Sequence, residues 1–352
     1  MFGRTSQSLL GVDISSSVVK VLELGKKGDK YVVLSYAVEP LSNGAVVESK
    51  IEDNEAVANA IRRAVKRSNT KATSAAVAVS ANSTITKVIS YPSALSEREM
   101  EEQIMLDAEN HIPYPLEEVR LDFEVLGTSG SDEEAVDVLL AASRSENVDA
   151  RVEVLEMAGL KPKIVDIEGN TIENAFSFVA SQLPLHGQGL TVAVIDAGAT
   201  ITTLHVLVDG KIVFTREETF GGRMLTDDIA QHYGISIQDA GRAKKENDLP
   251  DDYAPKVLDP FKHLMTNTIT RALQFFFSTS THYQSIDHIL LAGGCASIQG
   301  VDAMIENETS TPTTVANPFV DMTLGPKVKI SALTNDAPSM ITACGLAMRS
   351  FD

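Results

Sequence analysis

Residues 9–24 read LLGVDISSSVVKVLEL, and the fold of the whole chain can be worked out from this stretch. Two apolar runs flank three serines, a pattern that predicts two β-strands joined by a tight hairpin. Asp13 lies in the first run and Lys20 in the second. Small residues at such a turn let backbone N–H groups form an anion-binding nest, and Asp13 fits there if a hydrated Mg²⁺ separates it from a phosphate. Taken alone, the stretch is equally typical of an ordinary surface hairpin.

A second copy of this pattern occurs about half a chain later. Residues 191–208, TVAVIDAGATITTLHVLV, again carry one acid, Asp196, and several hydroxyl residues between two apolar runs. A later strand-like segment ends at the pair Gly293-Gly294. Two matched hairpins predict an internal duplication, in which two similar α/β halves close around one nucleotide.

Composition limits the classes of function. A chain of 352 residues with 43% hydrophobic content can form two or more domains, each with its own core. The net charge of −18 argues against a nucleic-acid surface and against docking on anionic lipid, because phosphates would be repelled. Two cysteines, Cys295 and Cys344, form no disulfide framework and have no zinc-site spacing.

Targeting segments are not evident. Residues 1–13 contain only a very short apolar segment, so they do not resemble a secretory signal. No run approaches the roughly 18 apolar residues of a membrane span. We therefore expect no direct membrane span and a cytosolic location.

The order of strand-like and helix-like segments predicts five parts. Strands and a helix form each half, and a strand–helix–strand–strand–helix unit interrupts the first half. The parts are residues 1–84 (first half), 85–160 (small α/β insert), 161–189 (first half continued, then a linker), 190–336 (second half) and 337–352 (a final small-residue helix).

Some helix ends can be predicted locally. The insert's first helix should begin with a capping box at Ser96–Glu99. Its second should begin at an N-cap, Ser145, and end at Gly159. In the second half, a helix is expected to begin near Leu225, with two aspartates in its first turn.

The two hairpins and the Gly-Gly turn resemble the phosphate-1 loop, the phosphate-2 loop and the adenosine motif of the actin/Hsp70/sugar-kinase superfamily. The resemblance implies an α/β fold, the duplicated actin-like ATPase fold, with ATP or ADP and Mg²⁺ between the halves and the final helix beside the first half. It also implies that Asp13 and Asp196 hold the metal through water. The implied nucleotide-binding residues are Asp13, Ser15, Ser16, Ser17 and Lys20 (phosphate-1), Asp196, Gly198, Ala199, Thr200 and Thr202 (phosphate-2), and Gly222, Lys244, Gly293 and Gly294 (base and ribose).

Two further motifs narrow the resemblance. Residues 220–230, FGGRMLTDDIA, are similar to an element of the FtsA-like actin-related proteins, and the insert lies where those proteins have their 1C subdomain. Residues 111–119, HIPYPLEEV, followed by Asp122-Phe123, resemble the signature of the PilM family of type IV pilus assembly proteins. The resemblance runs from about Leu9 to Arg349.

That family resemblance implies partners and a location. Its members act in type IV pilus biogenesis and twitching motility at the inner face of the bacterial inner membrane. They hold the N-terminal cytoplasmic tail of PilN in a groove between subdomains 1A and 1C, and PilN, PilO and PilP continue the link towards the outer membrane. Contacts with pilus motor proteins are also implied. We expect the groove to be lined around residues 85–90 and 111–116, with the tail added to an exposed strand edge.

The chain departs from the family pattern at one position. The helix near the ribose commonly reads A-E-x-x-K, whereas here Gly241 replaces the glutamate and Lys244 is kept. The ribose hydroxyls would then lack an acidic acceptor, so Lys244 is expected as the base or ribose contact.

Hydrolysis and two other functions remain open at this stage. Phosphoryl transfer needs a group that positions water; Glu168, Asn170 and Thr171 could supply it or could simply begin a helix, so at most a slow ATPase is expected. A cell-division filament protein like FtsA would carry an amphipathic membrane-binding tail, which is not seen in the final MRSFD. A sugar or acetate kinase would need a catalytic aspartate in the cleft, for which Asp166 and Asp196 are the candidates.

Overall fold

The computed structural model describes residues 8–130, 132–280 and 282–352, and the prediction for residues 1–7 lies outside these ranges. The strands described are β1 (Leu9–Ile14), β2 (Val18–Lys27), β3 (Lys30–Pro40), β4 (Val46–Val47), β5 (Lys50–Ile51), β6 (Ser74–Val79), β7 (Thr84–Pro92), β8 (Val119–Thr128), β9 (Ala135–Arg144), β10 (Lys161–Ile167), β11 (Thr191–Ala197), β12 (Thr202–Val208), β13 (Lys211–Glu218), β14 (His288–Ala292), β15 (Thr313–Val315) and β16 (Thr323–Leu324). The helices are α1 (Asn54–Ser68), α2 (Glu97–His111), α3 (Ser145–Met157), α4 (Glu168–Val179), α5 (Gly222–Tyr233), α6 (Ile237–Glu246), α7 (Asp259–Thr279), α8 (Val301–Thr309), α9 (Ile330–Asp336) and α10 (Ile341–Met348).

Two sheets repeat one strand order. The first sheet runs β10-β6-β1-β2-β3-β16 and the second runs β13-β12-β11-β14-β15. In each, three antiparallel strands are followed by two strands parallel to the first of them. The duplication predicted from the two hairpins is therefore present in the fold. The short strand β16 comes from the range predicted for the second half, yet it pairs with β3.

The side chains of β2, in the hairpin β1–β2, are buried alternately on the two faces of the sheet. In β2, Val19 and Val21 pack with α1, whereas Leu22 and Leu24 pack in a core that includes α4 and α10. This alternation follows from the period of two of a β-strand. Lys20 shares the face of Leu22 and Leu24, and it is directly opposite Asp13 of β1.

Helices α4 and α10 belong to a core that both sheets share. Ile172 of α4 and Ile341 of α10 are buried together with Leu22 of the first sheet and Val194 of the second. The two helices touch through their backbones, because a Cβ added at Gly345 would lie 1.9 Å from the carbonyl oxygen of Thr171. Only glycine permits this approach.

The insert forms a separate three-stranded sheet in the order β7-β9-β8. One face packs against α2 through a core that contains Met100, Ile104 and Leu140. Helix α2 begins with the predicted capping box, in which Ser96 and Glu99 exchange side-chain and backbone hydrogen bonds.

Two helix starts differ from the sequence predictions. Ser145 is the first residue of α3 rather than its N-cap, and Arg144 precedes it without a side-chain cap. Helix α5 begins at Gly222 instead of near Leu225, so the two aspartates follow the first turn. The helix begins earlier because residues distant in sequence stabilise its first turn. The first two N–H groups of α5 donate to the carbonyls of Gly198 and Ala199, at 3.0 and 2.7 Å.

Within the three described ranges, every helix is too short or too polar to cross a membrane.

We predict that Gly345→Ala destabilises the protein. The new methyl group would collide with backbone atoms of Thr171, which cannot rotate away, so overpacking should cost about 1–3 kcal/mol despite the better helix propensity of alanine. The thermal unfolding midpoint measures this. Gly169→Ala in α4 is the matched control, because its Cβ would make only an ordinary 3.5 Å contact with Ile212. Equal midpoints for the two variants would contradict the close approach of α4 and α10.

Candidate functional site

The two hairpin loops meet at their tips. The hydroxyl oxygens of Ser16 and Thr200 lie 2.9 Å apart, and they come from the first and second sheets respectively. Ser15 closes its own turn, because its hydroxyl donates to the carbonyl of Val18 at 2.9 Å. The structure thus brings the two predicted phosphate loops together across the interface between the sheets.

A buried ion pair lies beneath these tips. Lys20 Nζ is 2.7 Å from Asp13 Oδ2, and both side chains are about nine-tenths buried, with 11% and 12% exposed. Burial by itself would lower the pKa of Lys20, but the charges of Asp13 and Asp196 together raise it above its usual value. Lys20 is therefore a permanently charged group that both halves of the chain surround with acids.

The acids near Lys20 outnumber it. Burial raises the pKa of Asp196 to about 6, and the charge of Asp13 adds to this while that of Lys20 opposes it. Burial also raises the pKa of Glu168 to about 8, with further contributions from the charges of Asp196, Asp13 and Glu217. We call these four carboxylates, Asp13, Glu168, Asp196 and Glu217, the acid cluster. Each of these acids influences, or is influenced by, at least one other member of the cluster.

Glu168, Asn170 and Thr171, the three candidates for positioning water, do not act together in the structure. The amide of Asn170 donates to Asp166 at 3.1 Å, and the hydroxyl of Thr171 donates to the carbonyl of Glu168 at 2.7 Å within α4. Thr171 is fully buried. Both residues therefore serve the start of α4, whereas the carboxylate of Glu168 joins the acid cluster. Asp166, the kinase candidate, pairs with Arg349 at 3.1 Å.

Glycine at position 293 lets the backbone approach Asp196 closely. Gly293 has φ of +85°, and a Cβ there would lie 2.4 Å from Asp196 Oδ1. Gly294 borders open space, since a Cβ would meet no other atom within 4 Å. At Gly222 a Cβ would come within 3.1 Å of Cys295 Sγ. The predicted adenosine turn therefore lies directly against the second acid-bearing hairpin.

The side chain of Lys244, in α6, reaches the start of α5. Its Nζ donates to the carbonyl of Gly222 at 2.9 Å and to the hydroxyl of Thr226 at 2.6 Å, and burial lowers its pKa. A Cβ at Gly241 would meet only the Thr226 methyl group at 3.8 Å. The surroundings of Gly241 therefore leave ordinary space for a Cβ atom at this position.

Four further residues that were predicted to bind the nucleotide form hydrogen bonds within the protein. Thr202 is buried and donates its hydroxyl to the carbonyl of Phe220 at 2.9 Å, within the second half. Ser17 is exposed, and its carbonyl accepts from the N–H of Leu41 at 2.9 Å. The carbonyls of Gly198 and Ala199 accept the first N–H groups of α5. These N–H groups are thereby engaged by protein oxygens.

Two residues at this site were not predicted from the sequence. Cys295 donates its thiol to the carbonyl of Gly198 at 3.3 Å, and its position directly after the Gly-Gly pair was the only signal. Glu217, at the end of β13, accepts from the side-chain amide of Asn82, which lies between β6 and β7. No local pattern could have linked residues 135 positions apart.

The residues fit a nucleotide with a hydrated metal ion. In the described part of the chain, no three His, Cys, Asp or Glu side chains are placed to hold a metal directly. Asp13 and Asp196 are two carboxylates that can hold a metal through its water shell, as Mg²⁺ prefers. Burial raises the pKa of Asp196, so a cation bound beside it would stabilise its charged form.

A second candidate site lies on the insert, where it meets the turn that follows β6 and Lys50 of β5. This groove has a volume of about 210 Å³. The guanidinium of Arg144 stacks over the ring of Tyr114 at 4.3 Å. Two lining residues, Ile85 and Tyr114, belong to the segments predicted for a peptide groove. The full lining is Lys50, Asn82, Ser83, Thr84, Ile85, Tyr114, Val119, Ala142, Ser143, Arg144, Glu146 and Asn147.

Comparison with known proteins identifies the family. The model of the family described as type IV pilus assembly protein PilM matches residues 11–351. The chain is 25% identical to a chain in a structure of the PilM–PilN type IV pilus biogenesis complex, with a TM-score of 0.80 over 98% of this chain and 99% of that one.

Two more distant structures share the fold alone. The ethanolamine utilization protein EutJ from Carboxydothermus hydrogenoformans is 16% identical, with a TM-score of 0.57 over 97% of this chain and 89% of that one. A diol dehydratase-reactivating factor in nucleotide-free form is 10% identical, with a TM-score of 0.54 over 97% of this chain and 99% of that one. The chain has the actin-like ATPase fold and belongs to the family of the type IV pilus assembly protein PilM.

Proposed function

We propose that this chain is a scaffold for type IV pilus assembly that binds ATP or ADP with Mg²⁺ between its halves and the N-terminal tail of PilN in the groove beside the insert. The observation that carries the nucleotide part is the meeting of two acid-bearing hairpins around one lysine. The partner follows from the solved complex of a relative with PilN. The family match supports this role over a division filament or a sugar kinase.

The acid cluster explains why a metal-bound nucleotide suits the cleft. A bound Mg²⁺ would supply the positive charge that Lys20 alone does not provide, and Asp13 and Asp196 would hold it through its water shell. The hydroxyls of Ser16 and Thr200, which meet at the tips of the two loops, would donate to phosphate oxygens. Lys20 would attract the phosphates, and the open space at Gly294 leaves room for the base and sugar.

The same cluster argues for slow hydrolysis at most. With a pKa raised to about 8, Glu168 holds its proton at neutral pH while no cation is bound. A protonated carboxyl can donate a hydrogen bond but cannot take a proton from water. Glu168 is therefore proposed to position water rather than to act as an efficient base.

The groove suits an extended peptide. Among the described strands, β7 pairs only with β9, so the outer edge of β7 offers backbone groups to a further strand. The ring of Tyr114 supplies an apolar surface, and the ion pairs of Glu146 with Lys50 and Arg144 mark a polar rim. Binding of the PilN tail here would hold the chain at the inner face of the inner membrane, where PilO, PilP and the pilus motor are the further partners proposed.

We predict that Asp196→Asn weakens Mg²⁺-dependent binding of ADP without destabilising the protein. The variant removes one carboxylate that would hold the metal, and it also removes a repulsive buried charge. Affinity for Mg-ADP should fall by about tenfold or more, because hydrogen bonds to charged groups contribute roughly 1.5–3 kcal/mol. Isothermal titration calorimetry gives the affinity and thermal unfolding gives the stability.

The control is Asp29→Asn, an exposed aspartate in the turn between β2 and β3 of the first sheet. It should bind Mg-ADP as the wild type does. If neither the wild type nor Asp29→Asn shows heat with Mg-ADP or Mg-ATP, the proposed nucleotide site is wrong.

We predict that the stability of the nucleotide-free protein falls between about pH 4.5 and pH 8 because of Glu168. Its ordinary pKa of 4.5 is raised to about 8 in the fold, so over this interval the unfolded chain releases a proton that the folded chain retains. Glu168→Gln should therefore gain thermal stability over the wild type at pH 8 and show less gain at pH 5.

An exposed acid on α2 provides the control for this pH effect. Glu101→Gln should shift the unfolding midpoint equally at both pH values. A constant difference between Glu168→Gln and the wild type across the range would show that Glu168 titrates normally.

We predict that Tyr114→Ala weakens binding of a synthetic peptide of the PilN N-terminal tail. Aromatic residues in pockets commonly contribute about 2 kcal/mol or more at interfaces, which is roughly thirtyfold in affinity. Tyr114→Phe keeps the ring under Arg144 and should retain most of the affinity. Fluorescence anisotropy with a labelled peptide compares the two. Equal affinities for Tyr114→Ala and the wild type would place the peptide elsewhere.

A further inference from the structure

Asp336 carries a carboxylate for which the fold itself shows no use. It is the last residue of α9 and precedes the short 3-10 helix Ala337–Met340, which its side chain does not cap. A helix C-terminus carries partial negative charge, so an acid there destabilises the end of α9. Among the described residues, none donates a hydrogen bond to this carboxylate. The acid is therefore better explained by a ligand than by the stability of its own helix.

The carbonyls on either side of this acid in sequence are bonded to the Gly-Gly turn. The N–H of Gly293 donates to the carbonyl of Pro338 at 2.8 Å, and the hydroxyl of Ser297 donates to the carbonyl of Asn335 at 3.4 Å. Gly294, in the same turn, borders the open space that the base and sugar of a nucleotide would use. The acid is therefore held beside that space.

Cations from both halves act on this carboxylate. Burial raises the pKa of Asp336, and the charges of Lys245, Arg67 and Lys20 oppose that rise. Lys245 follows Lys244 in α6 of the second half, whereas Arg67 and Lys20 belong to the first half. Lys20 is also the ammonium group beneath the two phosphate loops. The carboxylate therefore lies between the phosphate end of the cleft and α6, where the sugar of a nucleotide would lie.

The sugar of a nucleotide needs an acceptor in this part of the cleft. Each ribose hydroxyl can donate a hydrogen bond, and hydrogen bonds to a charged acceptor are roughly twice as strong as neutral ones. Lys244 and Lys245 have ammonium groups, which only donate. Gly241, where the family pattern has a glutamate, has no side chain to offer. The Asp336 carboxylate has both the negative charge and unused acceptor positions.

We propose that the Asp336 carboxylate accepts hydrogen bonds from the ribose hydroxyls of the bound nucleotide, in place of the glutamate that is absent at Gly241. The proposal rests on the proposed nucleotide site and names the group that recognises the sugar there. Asp336 should then add to the affinity only for nucleotides whose sugar carries hydroxyls. A structural role alone would affect nucleotides with and without these hydroxyls equally.

The test compares Mg-ADP with Mg-dideoxy-ADP, the analogue that lacks both ribose hydroxyls, by calorimetry on the full chain. We expect the wild type to bind ADP about tenfold or more tightly than the analogue. Asp336→Ala should bring this ratio close to one, because ADP loses affinity and the analogue does not. Asp336→Asn keeps the size of the side chain and a neutral acceptor, so a preference of about threefold should remain.

Gly241→Glu tests whether the two positions can replace each other. In the Asp336→Ala background it should restore the preference for ADP, since a Cβ at position 241 has ordinary space 3.8 Å from the Thr226 methyl group. A double variant that binds ADP and dideoxy-ADP equally well overturns the replacement of the glutamate by Asp336.

Asp321→Ala is the matched control. It removes an exposed aspartate from the turn before β16, so the wild-type ratio should persist. A wild-type ratio of one, with both nucleotides bound, overturns the recognition of the sugar and leaves the proposed function standing. A ratio that stays at its wild-type value in Asp336→Ala overturns the role of Asp336. If the wild type binds neither nucleotide, the proposed function itself fails.

Discussion

The candidate nucleotide site depends on the interaction of one ammonium group, that of Lys20, with acids from both halves of the chain. Lys20 pairs with Asp13 on its own hairpin and is influenced by Asp196 on the other hairpin and by Glu168 on the helix between the halves. The duplicated sheets make this arrangement possible, because each supplies an equivalent first strand that ends in an acid. Burial raises the pKa of both Asp196 and Glu168, and neighbouring carboxylates raise both further, so a cation bound nearby would favour the ionised form of each acid.

Sequence reasoning succeeded where the determining interactions are local. The two apolar runs of residues 9–24, the repeated acid and the Gly-Gly pair were enough to predict the hairpins and the duplication, and residues 111–119 indicated the family. The capping box at Ser96–Glu99 was also predictable, because its partners are three residues apart. In each case the information lies within one turn or one strand pair.

The remainder could not be predicted because it depends on distant partners. Helix α5 begins at Gly222 since loop carbonyls far from it in sequence accept its first N–H groups. The hydroxyl of Thr202 donates to the carbonyl of Phe220, 18 residues away in sequence. The hydrogen bond from Asn82 to Glu217 connects the first half of the chain to the second sheet. The groove is likewise assembled from five separate segments, of which the sequence indicated two.

The backbone contact between α4 and α10 also restricts how the two halves can move. Because Gly345 rests directly on the Thr171 carbonyl, neither helix can slide along the other without a backbone collision. The contact therefore opposes sliding, or shear, of one helix along the other and leaves rotation about the crossing as the motion it permits between them. The crossing lies in the core shared by both sheets, so a small rotation there would produce its largest displacement at the far ends of the sheets.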